Sequence, residues 1–103
     1  MYENFKNIPT RNQYNKVLTE TIEYFKANRN GLLNELNVNI LEQLNDIIEH
    51  LDNYESLGDT DDINQRYDLG AIAVNWLEDG SEAQQRLFDV FWGIIHYLDM
   101  PDC

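Results

Sequence analysis

Residues 32–55 read LLNELNVNILEQLNDIIEHLDNYE. Leu33, Leu36, Ile40, Leu41, Leu44, Ile47, Ile48, Leu51 and Tyr54 recur there at steps of three and four, the spacing that gathers side chains on one face of an α-helix. A half-buried strand needs apolar and polar residues to alternate with period two, and no segment of the chain does so. The stretch therefore predicts a long amphipathic helix, with Asn37 placed to cap an internal break. It carries a second stripe as well. Glu42, Asp46 and Glu49 stand at i, i+4 and i+7, so three carboxylates share a side of the same helix.

The sequence on either side is cut by Pro9, Asn30-Gly31, Gly58 with its following aspartates, Asp79-Gly80-Ser81 and Pro101. Thr10 is the expected N-cap of a first helix whose inward face is Tyr14, Val17, Leu18, Ile22 and Phe25, closed by Asn30-Gly31. A third helix is expected from an Asp59 or Thr60 cap to Leu77, with Asp61 and Asp62 in its first turn, where carboxylates suit the helix dipole. Ile63, Tyr67, Ala71, Val74 and Leu77 form one of its faces, and Gly70 allows a neighbouring helix to approach closely. Ser81-Glu82-Ala83-Gln84 has capping-box spacing and opens a strongly apolar fourth helix ending before Pro101. Tyr2, Phe5 and Ile8 precede Pro9 as a short arm. Short turns between amphipathic helices predict an all-α fold, an antiparallel four-helix bundle with a short N-terminal arm, as one domain over residues 1–103.

Composition narrows the class. In 103 residues, 43% are hydrophobic and 12% aromatic, too many for a disordered chain despite the formal charge of -12. That charge opposes direct contact with nucleic acid or anionic membrane and directs attention to a cationic partner. A lone Cys103 forms no internal disulfide, and no leader-like or membrane-spanning apolar run is present. The expected location is the cytoplasm.

Signatures of chemistry are missing. His50 and His96 lack a glutamate three residues earlier, since Ile47 and Gly93 stand there, and no HExxH or phosphate-binding glycine loop occurs. Asp59-Thr60-Asp61-Asp62 resembles the start of a calcium loop, but Ile63, Asn64 and Gly70 occupy positions that need a ligand, glycine and glutamate. No catalytic residue, cofactor or metal is expected. Trp76, Phe88, Phe91, Trp92 and Tyr97 read mainly as core, and the apolar third helix also allows a homodimer.

The charge is unevenly distributed. Residues 1–30 carry five basic and three acidic side chains, whereas residues 31–103 carry two and sixteen. Glu42 to Asp68 alone hold nine acids against Arg66. Glu42, Asp46, Glu49, Asp52, Glu55, Asp59, Asp61 and Asp62 are the expected contact set for a basic protein, with Tyr54 and Tyr67 as aromatic anchors. Fixed carboxylates of this kind steer a basic partner and pair with groups that otherwise hold phosphate.

A small acidic helical chain with carboxylates along its second helix and in the following turn resembles the immunity proteins of bacterial nuclease toxins. It lacks the Tyr-Tyr-Pro motif of the colicin-DNase group, having Arg66-Tyr67-Asp68 in a long third helix, and is closer to the contact-dependent-inhibition and polymorphic-toxin type. The resemblance implies a binding protein that blocks a toxin and carries no catalytic residues. Two other readings share parts of the pattern: a phage DNA mimic that inhibits a defence nuclease, and a dimeric helical ligand-binding protein. The local excess of base in residues 1–30 weighs against the mimic.

Overall fold

Thr10 opens the first helix in the computed structural model, which describes Tyr2, residues 4–27 and residues 34–102, the side chains of Asn34 and Ser56 aside. Gln13 N donates to Thr10 Oγ1 at 3.1 Å, and Thr10 N donates to Gln13 Oε1 at 2.9 Å, a reciprocal cap that satisfies two amides. The helix, α1 (Arg11–Lys26), buries Tyr14, Leu18, Thr21, Ile22 and Phe25. Its expected closure at Asn30-Gly31 lies outside the described residues, as do Leu32 and Leu33.

Helix α2 spans Asn34–His50 and passes through the buried Asn37 without a break. The interruption comes later. Leu51–Leu57 is a 3₁₀ segment in which Asn53 leaves helical geometry at φ -134°, ψ 57°. Leu51 and Leu57 still point into the core, so the tighter turn keeps both apolar residues inward while the chain changes direction. Gly58 then turns at φ 87°, a conformation that favours glycine.

The long third helix does not form. In its place are α3 (Thr60–Arg66) and α4 (Leu69–Trp76), separated by Tyr67 in an extended conformation at φ -122°, ψ 139°. Tyr67 N completes α3 by donating to Ile63 O at 3.1 Å. The next amide, Asp68 N, donates instead to Gln43 Oε1 of α2 at 2.9 Å. A side chain from α2 thus takes the hydrogen bond that continuation of α3 would have used. The break resets the helical phase: Leu69, Ile72 and Ala73 are buried, whereas Ala71 and Val74 face solvent.

Ser81 caps α5 (Glu82–Ile95), accepting from Gln84 N at 3.2 Å. Gln84 does not return to the cap. Its amide donates to Ala73 O at 2.9 Å and Asp79 Oδ1 at 3.2 Å and accepts from Gly80 N at 2.9 Å, joining α4 to α5. Helix α5 packs against α1, α3 and α4. Gly93 permits the closest approach, because a Cβ there would overlap the Tyr14 ring, whose hydroxyl donates to Val90 O at 2.7 Å. At Gly70 a Cβ would stand 3.3 Å from the Phe91 ring, in keeping with the close helix approach expected there. A final 3₁₀ turn, Tyr97–Asp99, returns to α1, where Arg11 N donates to Pro101 O at 2.8 Å and the Arg11 guanidinium meets Asp102 at 3.2 Å.

Among the described residues, one apolar cluster joins the five α-helices. The arm lies on α5: Tyr2 donates its hydroxyl to Asp89, Asn4 Nδ2 donates to Gln85 O at 3.0 Å, and Phe5 packs against the core. Tyr97 is buried and Phe91 partly so, but Trp76, Phe88 and Trp92 are 65%, 39% and 40% exposed. Those three correct the reading of the aromatic set as core. The phase reset after Tyr67 turns Trp76 outward, and positions 88 and 92 lie on a side of α5 where the arm provides partial cover. Among the described residues, no helix is long and apolar enough to cross a membrane.

Candidate functional site

The carboxylate stripe of α2 meets the end of α3 at Asp46. Arg66 Nε donates to Asp46 Oδ2 at 2.7 Å and Arg66 Nη2 to Oδ1 at 3.0 Å, a two-pronged pair. Tyr67 donates its hydroxyl to the same Oδ2 at 2.5 Å. His50 adds a contact from one turn further along α2, its Nδ1 lying 2.7 Å from Asp46 O and 3.7 Å from Asp46 Oδ1. Beside this knot, Gln43 receives Asp68 N, donates to Asn39 Oδ1 at 3.0 Å and also donates to the Asp68 carboxylate. The residues around Asp46 and Gln43 line an open depression of about 300 Å³.

This geometry perturbs the groups that form it. Hydrogen bonds from Arg66 and Tyr67 outweigh desolvation and hold the Asp46 carboxyl down at about 2. Arg66 is held more firmly protonated by the same contact. Burial, then the adjoining Asp46 carboxylate, pushes the Tyr67 phenol up. Across the working range the knot is one cation, one anion and one neutral phenol. Helix α2 has no Lys or Arg of its own, and the charge that compensates Asp46 comes from α3, twenty residues away in sequence.

The ten residues of the expected contact set fall into three groups. Asp46 is neutralised by Arg66, while Asp59 and Asp62 cap α3 together, with Asp62 N donating to Asp59 Oδ1 at 3.0 Å and Asp59 N to Asp62 Oδ2 at 3.1 Å. Tyr67 is 3% exposed, so its role is to position Asp46 and not to meet a partner with its ring. Tyr54 is half-buried, donates to Ile94 O at 3.1 Å and stacks on Tyr97, and is likewise committed inward. Glu42, Glu49, Asp52, Glu55 and Asp61 are exposed, and their carboxylates have no hydrogen bond or ion pair among the described residues. These five are the carboxylates available for an incoming cation.

The reciprocal use of Asp59 and Asp62 in capping gives these two acids a role in the fold. Among the described residues no group of three His, Cys, Asp or Glu side chains converges to hold an ion. Sequence reasoning missed Gln43, Arg66 and Asp68 as members of the face. One signal for Arg66 was present, since it is the single base in a run of nine acids. Gln43 carried no signal, because its importance arises from the amide it meets across the helix boundary.

Compared with protein-family models, curated proteins and solved structures, the chain matches none.

Proposed function

We propose that the chain is a cytoplasmic immunity protein that binds and neutralises a cationic bacterial toxin, a nuclease, through the acidic face of α2, the 3₁₀ segment and α3. The observation that carries this reading is the division of labour among the acids. The one base of the region is fully engaged by Asp46, which leaves Glu42, Glu49, Asp52, Glu55 and Asp61 without an internal counter-charge. Along α2 and the 3₁₀ segment like charges cost a few tenths of a kcal/mol per pair and bring no benefit to the fold, whereas Asp61 also suits the first turn of α3. Their benefit lies in recognition. A nuclease cleft is rich in Lys and Arg that bind phosphate, and carboxylates on a fixed frame steer such a surface and then occupy it. Asp46, Arg66 and Tyr67 supply the frame by locking α3 against α2.

The test pairs the chain with the toxin domain encoded by the adjoining reading frame. Co-expression is expected to restore growth, and the purified chain to inhibit nucleic-acid cleavage. Reversing Glu42, Glu49 and Asp61 to Lys together is expected to slow association about tenfold or more and to flatten its dependence on salt. Association and salt slope unchanged by the triple reversal would remove this face from the mechanism. Absence of protection against the adjoining toxin would remove the function.

A further inference from the structure

The acidic side of the molecule continues past the depression at Asp46. Glu35 stands seven residues before Glu42 and fourteen before Glu49, so it extends the carboxylate stripe back to the start of α2. In the first turn that charge suits the helix dipole. It is also exposed, and its carboxylate has no hydrogen bond or ion pair among the described residues. Glu35 lines a depression of about 260 Å³ together with Leu36, Asn39 and Trp76 of α4. Asn39 lines the Asp46 depression too, so the two share a wall along α2. Gln43 steadies that wall by donating to Asn39 Oδ1 at 3.0 Å.

Trp76 is a free aromatic at the edge of this side, where Tyr54 and Tyr67 are committed inward. Single exposed apolar groups are ordinary on a protein surface. This one shares its depression with a carboxylate and no base. We infer that Glu35 and Trp76 together take an arginine side chain of the basic partner, which extends the interface from α2 onto the end of α4. The inference rests on reading the acidic face as the site of a basic protein. A guanidinium pairs with a carboxylate through its fork and stacks its plane on an aromatic ring, and indole offers a cation the strongest such face. A lysine ammonium is a compact, strongly hydrated charge and gains less from the same pocket. The fold already uses the combination once: Arg86 Nε meets Glu82 at 2.8 Å while its guanidinium lies 4.4 Å from the centre of the Tyr2 ring. Trp92 supplies the contrast. Its depression contains Lys6, the Asp89 carboxylate there is buried and bound by Tyr2, and the His96 ring packs 4.4 Å from the indole. An incoming guanidinium would meet a like charge at that place.

The test titrates tri-arginine amide and tri-lysine amide into the full chain carrying Trp92→Phe, which leaves Trp76 as the one indole. Circular dichroism confirms that each variant folds. Tri-arginine amide is expected to change Trp76 emission saturably, and tri-lysine amide to bind about two- to fivefold more weakly. Glu35→Gln should weaken the tri-arginine complex by a similar factor, whereas Asp61→Asn should leave it unchanged. With Trp76→Phe in the chain that keeps Trp92, the emission response should vanish. Absence of a saturable response, equal binding of the two peptides, or indifference to Glu35→Gln overturns the inference. So does a Trp92 response as large as that of Trp76. In the complex with the adjoining toxin domain, Trp76→Ser is expected to speed dissociation about fivefold or more and to leave the association rate unchanged. Unchanged dissociation overturns the inference and leaves the acidic-face reading intact. That reading fails instead on the association rate and salt slope of the triple reversal, so the two failures are distinguishable.

Discussion

Asp46 shows how one side chain can belong to an acidic face and yet serve the fold. Its two oxygens take three hydrogen bonds from Arg66 and Tyr67, so its loss should be felt as instability before it is felt as weaker recognition. Asp46→Asn is expected to lower stability by about 1 kcal/mol, with the unfolding midpoint falling about 4–8 °C. The pH dependence has a definite direction. The carboxyl is held at about 2 in the folded protein, below its value in the unfolded chain, so the unfolded state binds the proton first as pH falls. Its contribution is complete above about pH 4–5, declines as pH drops towards 2, and is lost below that. Denaturant titrations of the native chain and Asp46→Asn should therefore differ at neutral pH and converge near pH 2. A gap of constant size would show that the charge on Asp46 does not carry its contribution to stability. The acids were legible in the sequence, as was the isolation of Arg66 among them. Their pairing was not, because Arg66 and Asp46 are brought together by a helix break whose cause, Gln43 taking the Asp68 amide, is itself a tertiary contact.

At the scale of the elements, local chemistry could be read well and relative placement could not. Thr10, Asp59 and Ser81 each cap a helix where the sequence puts them, since a cap depends only on a side chain and the amides two or three residues on. The third helix misled because periodicity reports a preference that a neighbour can override: residues 59–77 have a workable helical pattern, yet Tyr67 is extended. The turn before α3 is the most constrained link. Gly58 combines φ 87°, ψ -157° with an Asp62 side chain lying where a Cβ would go. Gly58→Ala is expected to cost about 1–3 kcal/mol and to disturb the Asp59–Asp62 cap, read by loss of amide-exchange protection in α3 ahead of the rest. Gly93→Ala should be more damaging to the whole chain, about 3 kcal/mol, because the Tyr14 ring that would have to yield is fully enclosed. Equal tolerance of both substitutions by thermal unfolding would contradict this account.

For the molecule as a whole, the sequence made the all-helical class plain, and with it the asymmetry of charge. It did not reveal that α5 would be flanked by α1, α3 and α4 while its Phe88 and Trp92 stayed outside. A helix's apolar stripes are visible in one dimension; which stripe is covered depends on where the other helices run out. Net charge has its own consequence at this scale. With sixteen acids against two bases over residues 31–103, the folded state is under self-repulsion that salt screens. The midpoint of thermal unfolding should therefore rise by several degrees between about 20 and 500 mM NaCl, at protein concentrations low enough to keep the chain monomeric. A midpoint that is flat or falls over that range would indicate that paired charges outweigh the repulsion.

Both tryptophans of the chain, Trp76 and Trp92, stand at the surface. Their indole rings already sense water in the native protein, so their emission should lie close to that of the denatured chain and shift little on unfolding. Intrinsic fluorescence is thus a poor witness to the folding of this molecule. For the same reason it is a sensitive one to docking: a blue shift at native conditions would report that something has come to rest on Trp92 or Trp76, and replacing either indole would tell which.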